Sequence, residues 1–175
     1  MKNVPNTISL GRLFLSPGVL LLSAKDEERL AAVLFLVLAL SDALDGFLAR
    51  VMKAQTTLGK FLDPLADKVL LLCGLVAVGS QITPLLFFIL VARDTTLVIG
   101  SLILRRFGFV PRPSLLGKGA TLTVSAAVIV AFLPSLGVNF PEGVLRALES
   151  VSISIILVSW IDYSLKGVKL IMERR

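Results

Sequence analysis

The chain has 175 residues, of which 55% are hydrophobic and only 17% are charged. A soluble domain carries about a quarter charged residues, so this composition excludes a soluble domain and predicts one polytopic membrane domain over residues 1–175. The net charge of +6 is explained by membrane topology and anionic head groups, and we expect no nucleic-acid partner.

The side-chain inventory restricts the chemistry that is open to this chain. Histidine is absent, and Cys73 is the one cysteine. An imidazole base, an imidazole metal ligand, a disulfide framework and a thiolate metal site are therefore all excluded. Acid–base chemistry near neutral pH falls to carboxylates.

The hydrophobic runs predict an all-α bundle of six transmembrane helices, since each span needs about 20 residues. Pro5, followed by Asn6 or Thr7 as a cap, marks the first helix start. A turn is predicted at 79–83 and a basic loop at 105–118. The predicted spans cover, in chain order, about 8–23, 30–51, 60–78, 84–104, 119–136 and 144–171.

The basic residues are distributed unevenly between the two sides of this layout. Most of them fall at the two chain ends, around the turn at 50–60 and in the loop at 105–118. Under the positive-inside rule these segments are cytoplasmic. We therefore expect a multi-pass protein of the inner membrane with both termini and the 50–60 turn on the cytoplasmic side.

Four aspartates flank that turn in two pairs, Asp42 with Asp45 and Asp63 with Asp67. Spacings of three and four residues put each pair on one face of its helix. Carboxylates beside membrane-grade apolar sequence are functional by default, and four of them together repel one another unless cations bind. The hairpin therefore predicts a divalent metal site.

The second span also carries a stripe of small and basic residues next to its carboxylates. Asp42, Gly46 and Arg50 recur every four residues, with Ala49 beside them. Small residues leave a bay where a bulky ligand approaches the backbone, and an arginine suits phosphate oxygens. This arrangement is typical of a site that cleaves a phosphoanhydride.

These positions together resemble the signature of the CDP-alcohol phosphotransferase family. All eight defining positions match, and the pattern reads Asp42-x-x-Asp45-Gly46-x-x-Ala49-Arg50, eight further residues, then Gly59-x-x-x-Asp63-x-x-x-Asp67. The resemblance implies a membrane enzyme, a homodimer surrounded by lipids, that moves a phospho-substituted group from a CDP-linked donor to an alcohol and releases CMP.

The resemblance also implies roles for individual residues. Asp42, Asp45, Asp63 and Asp67 would bind two Mg²⁺ or Mn²⁺ ions, and Asp67 would in addition act as general base on the acceptor hydroxyl. The positions that resemble contacts to the CDP-linked donor are Asn6, Gly46, Arg50 and Thr56.

Three segments resemble the branch of the family that transfers a phosphatidyl group from CDP-diacylglycerol to glycerol 3-phosphate. They are Pro5-Asn6-x-x-Ser9-x-x-Arg12, the run at 61–68, and Arg112-Pro113-Ser114-x-x-Gly117-Lys118. A phosphorylated alcohol as acceptor needs cations, and those available are Arg93, Arg112 and Lys118.

Several alternatives stay open at this point. Asp94 follows Arg93 where that branch more often has glutamate, and an arginine–aspartate pair is frequent in CMP-forming cardiolipin synthases, whose acceptor is phosphatidylglycerol. Arg93 and Asp94 are also consistent with a structural ion pair, and Arg112 and Lys118 with contacts to lipid head groups. Arg12 is consistent with either a snorkelling residue or a ligand. Rival classes are an aspartate-rich membrane prenyltransferase and an aspartate-based cation transporter.

Overall fold

The computed structural model describes residues 4–51, 59–106 and 115–172, and within them the side chains of 9–41, 62–106 and 115–172 except 142, 168 and 171. These described residues form α-helices and one short 3-10 turn, without a strand, which confirms the all-α prediction. The helices are α1 Val4–Ser23, α2 Glu28–Val51, α3 Gly59–Ala77, α4 Pro84–Arg106, α5 Leu115–Phe132 and α6 Glu142–Met172.

Three helical stretches among the described residues are long and apolar enough to cross a bilayer. They are Pro84–Arg106, Leu115–Leu136 and Gly143–Gly167, while Ser9–Ser23 is a shorter apolar helix. Together these helices indicate a membrane protein. The count of six spans and the side of the membrane on which each loop lies stay predictions.

The structure forms two compact units, drawn from residues 1–81 with 128–140 and from residues 82–127 with 141–175. The prediction of a single domain stays a prediction.

In the first unit, α1 packs against α3 along its length, and α2 packs against both. Three side-chain hydrogen bonds join Ser9 to Asp63, Arg12 to Asp67 and Ser23 to the carbonyl oxygen of Ala77. The partners are 54, 55 and 54 residues apart in the chain. Because this separation is nearly constant, α1 and α3 run parallel. Helix α2 leads the chain back from the end of α1 to the start of α3.

The apolar core of this unit is closely packed around Phe35 of α2. Its ring lies 5.2 Å from the ring of Phe132, centroid to centroid, and both side chains are buried. Gly74 of α3 faces Phe35 at a point where an added Cβ would meet the ring. The absence of a side chain at Gly74 therefore allows α3 to approach the aromatic pair.

In the second unit, α4 packs against α6. Glu149 accepts hydrogen bonds from the backbone and the hydroxyl of Thr83, and Arg93 donates to Ser159. Both pairs are 66 residues apart, so these two helices also run parallel.

The structure differs from the predicted bounds at the start of the first helix, around the basic segment and at the end of the fifth span. Helix α1 already begins at Val4, so Asn6 and Thr7 lie within its first turn and neither is its cap. Helix α4 continues to Arg106, and α5 already begins at Leu115, so Lys118 lies in the first turn of a helix and not in a loop. Residues 133–136 form a 3-10 turn and not the last turn of α5. Pro134 lacks the N–H that would continue the α-helical ladder, and Gly137 ends the turn with a φ of 84°.

Candidate functional site

The second aspartate pair lies near the start of α3, on one helical face. Asp63 is half-buried, and the Asp67 side chain is 42% exposed. Ala66 between them is completely buried, which brings this part of α3 close to its neighbours. The carboxylates are thus anchored at the edge of the first unit and still accessible.

Helix α1 supplies a donor to each of these carboxylates. The Ser9 hydroxyl donates to Asp63 Oδ1 at 2.5 Å, and Arg12 Nη1 donates to Asp67 Oδ1 at 2.6 Å. Both donors are 1% exposed. The snorkelling interpretation of Arg12 is therefore wrong, because the guanidinium is buried against a carboxylate and does not extend towards an interface.

The first aspartate pair and its stripe lie within α2, as the spacing predicts. Asp42, Asp45, Gly46 and Arg50 are helical, so their backbone positions share one side of the helix, but their side chains are outside the described set. Among the side chains that the structure does describe, no three acidic, cysteine or histidine residues lie close enough to hold a metal. The four-carboxylate metal site therefore stays a prediction.

The predicted donor-binding residues are only partly covered. Asn6 lies in α1, but its side chain is outside the described set, and Thr56 lies outside the described residues. Their contacts to the donor stay predictions.

The predicted acceptor residues divide in the same way. Arg112 lies outside the described residues, and Lys118 is an exposed side chain on α5. Arg93 is 5% exposed; its Nη1 contacts Asp94 Oδ1 at 2.8 Å, and its Nη2 donates to Ser159 Oγ at 3.0 Å. Arg93 Nε has no hydrogen-bond partner among the described residues. The ion pair expected as one alternative is present, and the side chain still has an unused donor.

Sequence reasoning named Ser9 only as part of a segment that resembles one branch of the family, left Arg12 undecided, and missed Ser159 and Glu149. The last two are polar residues inside an apolar helix, which is the one signal that points to them. Ser9 and Arg12 are three residues apart, a spacing that places them on the same face as a pair. The partner of each lies more than fifty residues away in sequence, where local spacing carries no information.

Comparison with known proteins gives consistent results. The model of the CDP-alcohol phosphatidyltransferase family matches residues 2–161. A protein of Aquifex aeolicus named CDP-diacylglycerol–glycerol-3-phosphate 3-phosphatidyltransferase is 46% identical over 176 residues, covering 98% of this chain and 99% of its own. A Bacillus subtilis protein of the same name is 32% identical, covering 81% and 83%. A Streptomyces coelicolor protein named cardiolipin synthase (CMP-forming) is 36% identical over 133 residues, covering 71% of this chain and 62% of its own.

Proposed function

The chain belongs to the CDP-alcohol phosphatidyltransferase family, and we propose that it transfers a phosphatidyl group from CDP-diacylglycerol to glycerol 3-phosphate. The products are phosphatidylglycerol phosphate and CMP, an early step of phosphatidylglycerol synthesis. The observation that carries this choice of acceptor is the 46% identity, over nearly the full length of both chains, to the Aquifex aeolicus protein that bears this activity in its name.

The reaction is a displacement at the phosphorus that carries the diacylglycerol. The acceptor hydroxyl oxygen forms a bond to this phosphorus, the bond from the same phosphorus to the bridging oxygen of the diphosphate breaks, and CMP leaves. Asp67 takes the proton of the hydroxyl. Its partly exposed side chain supports this role, because a general base must come within hydrogen-bond reach of the proton that it abstracts.

A divalent cation fits the carboxylates that the chain offers. Asp42, Asp45, Asp63 and Asp67 would hold Mg²⁺ or Mn²⁺, since these ions prefer oxygen ligands and the chain has no histidine to compete. When bound, two ions neutralise charge on the diphosphate and stabilise the leaving group. Asn6, Gly46, Arg50 and Thr56 bind the nucleotide end of the donor in this proposal.

Arg93, Arg112 and Lys118 bind the phosphate of the acceptor. Arg93 supports this assignment because its Nε has no partner among the described residues, while its Nη1 and Nη2 donate to Asp94 and Ser159 and so keep the guanidinium fixed. A guanidinium that is held in place loses less conformational entropy when it binds a phosphate.

A second candidate is the use of phosphatidylglycerol as acceptor, which would yield cardiolipin. Asp94 directly after Arg93 favours it, as does the similarity to the Streptomyces coelicolor protein. An aspartate-based cation transporter, the candidate from outside enzymology, is disfavoured by Arg50, whose charge opposes cation passage.

We further propose that the chain crosses the inner membrane six times, as a homodimer, with both termini and the site on the cytoplasmic side. Single cysteines placed at residues 2 and 173 in a Cys73→Ser background should react in inside-out vesicles and not in intact cells. Labelling of either position in intact cells would contradict the proposed topology.

The activity is tested with purified protein, CDP-diacylglycerol and Mg²⁺, with CMP release as the readout. Glycerol 3-phosphate should support release and phosphatidylglycerol should not; the reverse result would favour the second candidate. Absence of CMP with all four acceptors, namely glycerol 3-phosphate, phosphatidylglycerol, inositol 1-phosphate and serine, would contradict the proposed phosphatidyl transfer. Asp67→Asn should abolish turnover and leave CDP-diacylglycerol binding largely intact, and full activity of this variant would show that Asp67 is not the base.

A further inference from the structure

We propose that Ser9 and Arg12 of α1 are positioning residues for the site: Ser9 orients Asp63 for metal binding, and Arg12 orients Asp67 for proton transfer. The role given to Arg12 rests on the proposed function, because it takes Asp67 as the base. The role given to Ser9 requires only that Asp63 binds a divalent cation.

The first argument is the way in which the two helices meet. Ser9 and Arg12 are one turn apart on α1, and Asp63 and Asp67 are one turn apart on α3. Because the helices run parallel in a nearly constant register, each donor lies beside its own carboxylate. The arrangement is therefore a pairwise match of two helical faces and not one chance contact.

The second argument is the contrast in burial across each contact. Arg12 is 1% exposed, whereas the Asp67 side chain is 42% exposed. The guanidinium thus contacts the carboxylate from the interior of the unit, and much of the aspartate stays accessible to a substrate. An interaction that only stabilised the fold would not need one partner to remain open.

The third argument is the chemistry of each donor. A charged, buried donor holds a carboxylate in one orientation, and misplacing a reactive group by about 1 Å can cost on the order of 100-fold in rate. The positive charge of Arg12 does not favour a second cation beside Asp67, so its contribution belongs to turnover and not to metal affinity. The neutral hydroxyl of Ser9 orients Asp63 without opposing a cation, so its contribution belongs to metal affinity.

The test uses the full-length protein in detergent and the variants Arg12→Met, Arg12→Lys and Ser9→Ala. Methionine keeps much of the arginine volume without the charge, and lysine keeps the charge. The matched control is Ser16→Ala, since Ser16 is equally buried on α1 but its hydroxyl donates to the Arg12 carbonyl of its own helix at 2.7 Å. Three quantities are measured for each protein: kcat for CMP release, the dissociation constant of Mn²⁺ by electron paramagnetic resonance without substrates, and the thermal unfolding temperature.

We expect Arg12→Met to lose about 10-fold to 100-fold in kcat, the usual cost of losing a residue that orients a site ligand. Its Mn²⁺ dissociation constant should not rise, and Arg12→Lys should recover part of kcat. Ser9→Ala should raise the Mn²⁺ dissociation constant by about 10-fold, and Ser16→Ala should match the wild type in both.

Wild-type kcat in both Arg12 variants would overturn the role of Arg12, and so would a loss in Arg12→Met that its folded fraction fully accounts for. Unchanged Mn²⁺ affinity in Ser9→Ala would overturn the role of Ser9. If Arg12→Met does not fold, Arg12→Lys decides the role of Arg12: a kcat below that of the wild type supports it, and a wild-type kcat overturns it. If the wild type releases no CMP, the proposed function fails, while the Mn²⁺ titration still decides the role of Ser9.

Discussion

The buried contact between Arg93 and Ser159 gives a sharp test of the acceptor site. Ser159→Ala removes the hydroxyl that accepts a hydrogen bond from Arg93 Nη2 at 3.0 Å. A hydrogen bond to a charged group contributes about 1.5–3 kcal/mol, and the guanidinium is 5% exposed, so water does not replace the lost acceptor. Because about 1.4 kcal/mol corresponds to a tenfold change, we expect KM for glycerol 3-phosphate to rise by about tenfold or more. Steady-state CMP release at saturating CDP-diacylglycerol measures this change.

The control for this variant is Ser152→Ala on the same helix. Ser152 is also completely buried, but its hydroxyl donates to the carbonyl oxygen of Leu148, one turn earlier in α6. Ser152→Ala should leave KM for glycerol 3-phosphate and KM for CDP-diacylglycerol within about twofold of the wild-type values. A hydroxyl that bonds a carbonyl of its own helix contributes little to the position of a partner helix. The reasoning is refuted if the two serine variants behave alike, or if Ser159→Ala raises KM for CDP-diacylglycerol and not for the acceptor.

Two further predictions concern the stability of each unit, measured by thermal unfolding in detergent. Gly74→Ala should destabilise by about 1–3 kcal/mol, since its Cβ would meet Cδ2 of the buried Phe35 ring at 2.8 Å. Gly100→Ala should be neutral or stabilising, because no other described residue would lie within 4 Å of its Cβ. Glu149→Ala should cost about 1–3 kcal/mol, because the N–H and hydroxyl of Thr83 lose their acceptor, whereas Glu149→Gln keeps an acceptor oxygen and should cost less. Equal stability of the two glycine variants, or of the two Glu149 variants, would contradict the respective packing or hydrogen-bond argument.

The helices were predictable because their signals are local. Continuous apolar runs define where each helix lies, and residues such as Gly59 and Pro84 mark where a helix begins, so most predicted bounds fall within a few residues of the observed ones. Errors occurred where two local signals compete. The basic residues near Lys118 suggested a loop, but the adjacent apolar residues Leu115 and Leu116 continue the pattern of the following helix.

The candidate site was predictable only where its residues form a contiguous pattern. The spacing of Asp63 and Asp67 within one helix is readable from the sequence, and so is their resemblance to a family signature. The donors that hold them are not, because a single arginine such as Arg12 in an apolar helix is compatible with an interface, a ligand or an ion pair. Which of these applies depends on the register between α1 and α3, whose contacting residues are 54 to 55 positions apart in the chain.

The same physical argument explains why the register of α1 on α3 is well defined. Apolar helix faces in a membrane have little hydrophobic drive to choose one register over another, because lipid tails are as apolar as leucine. A slide of α1 by one turn, about 5.4 Å, would break the Ser9–Asp63 and Arg12–Asp67 contacts together and leave a buried guanidinium without its carboxylate. Breaking one side of a buried ion pair costs about 3–5 kcal/mol, and the partial exposure of Asp67 reduces but does not remove that penalty. The polar pairs therefore select the register, and the register in turn fixes where the two carboxylates of α3 lie.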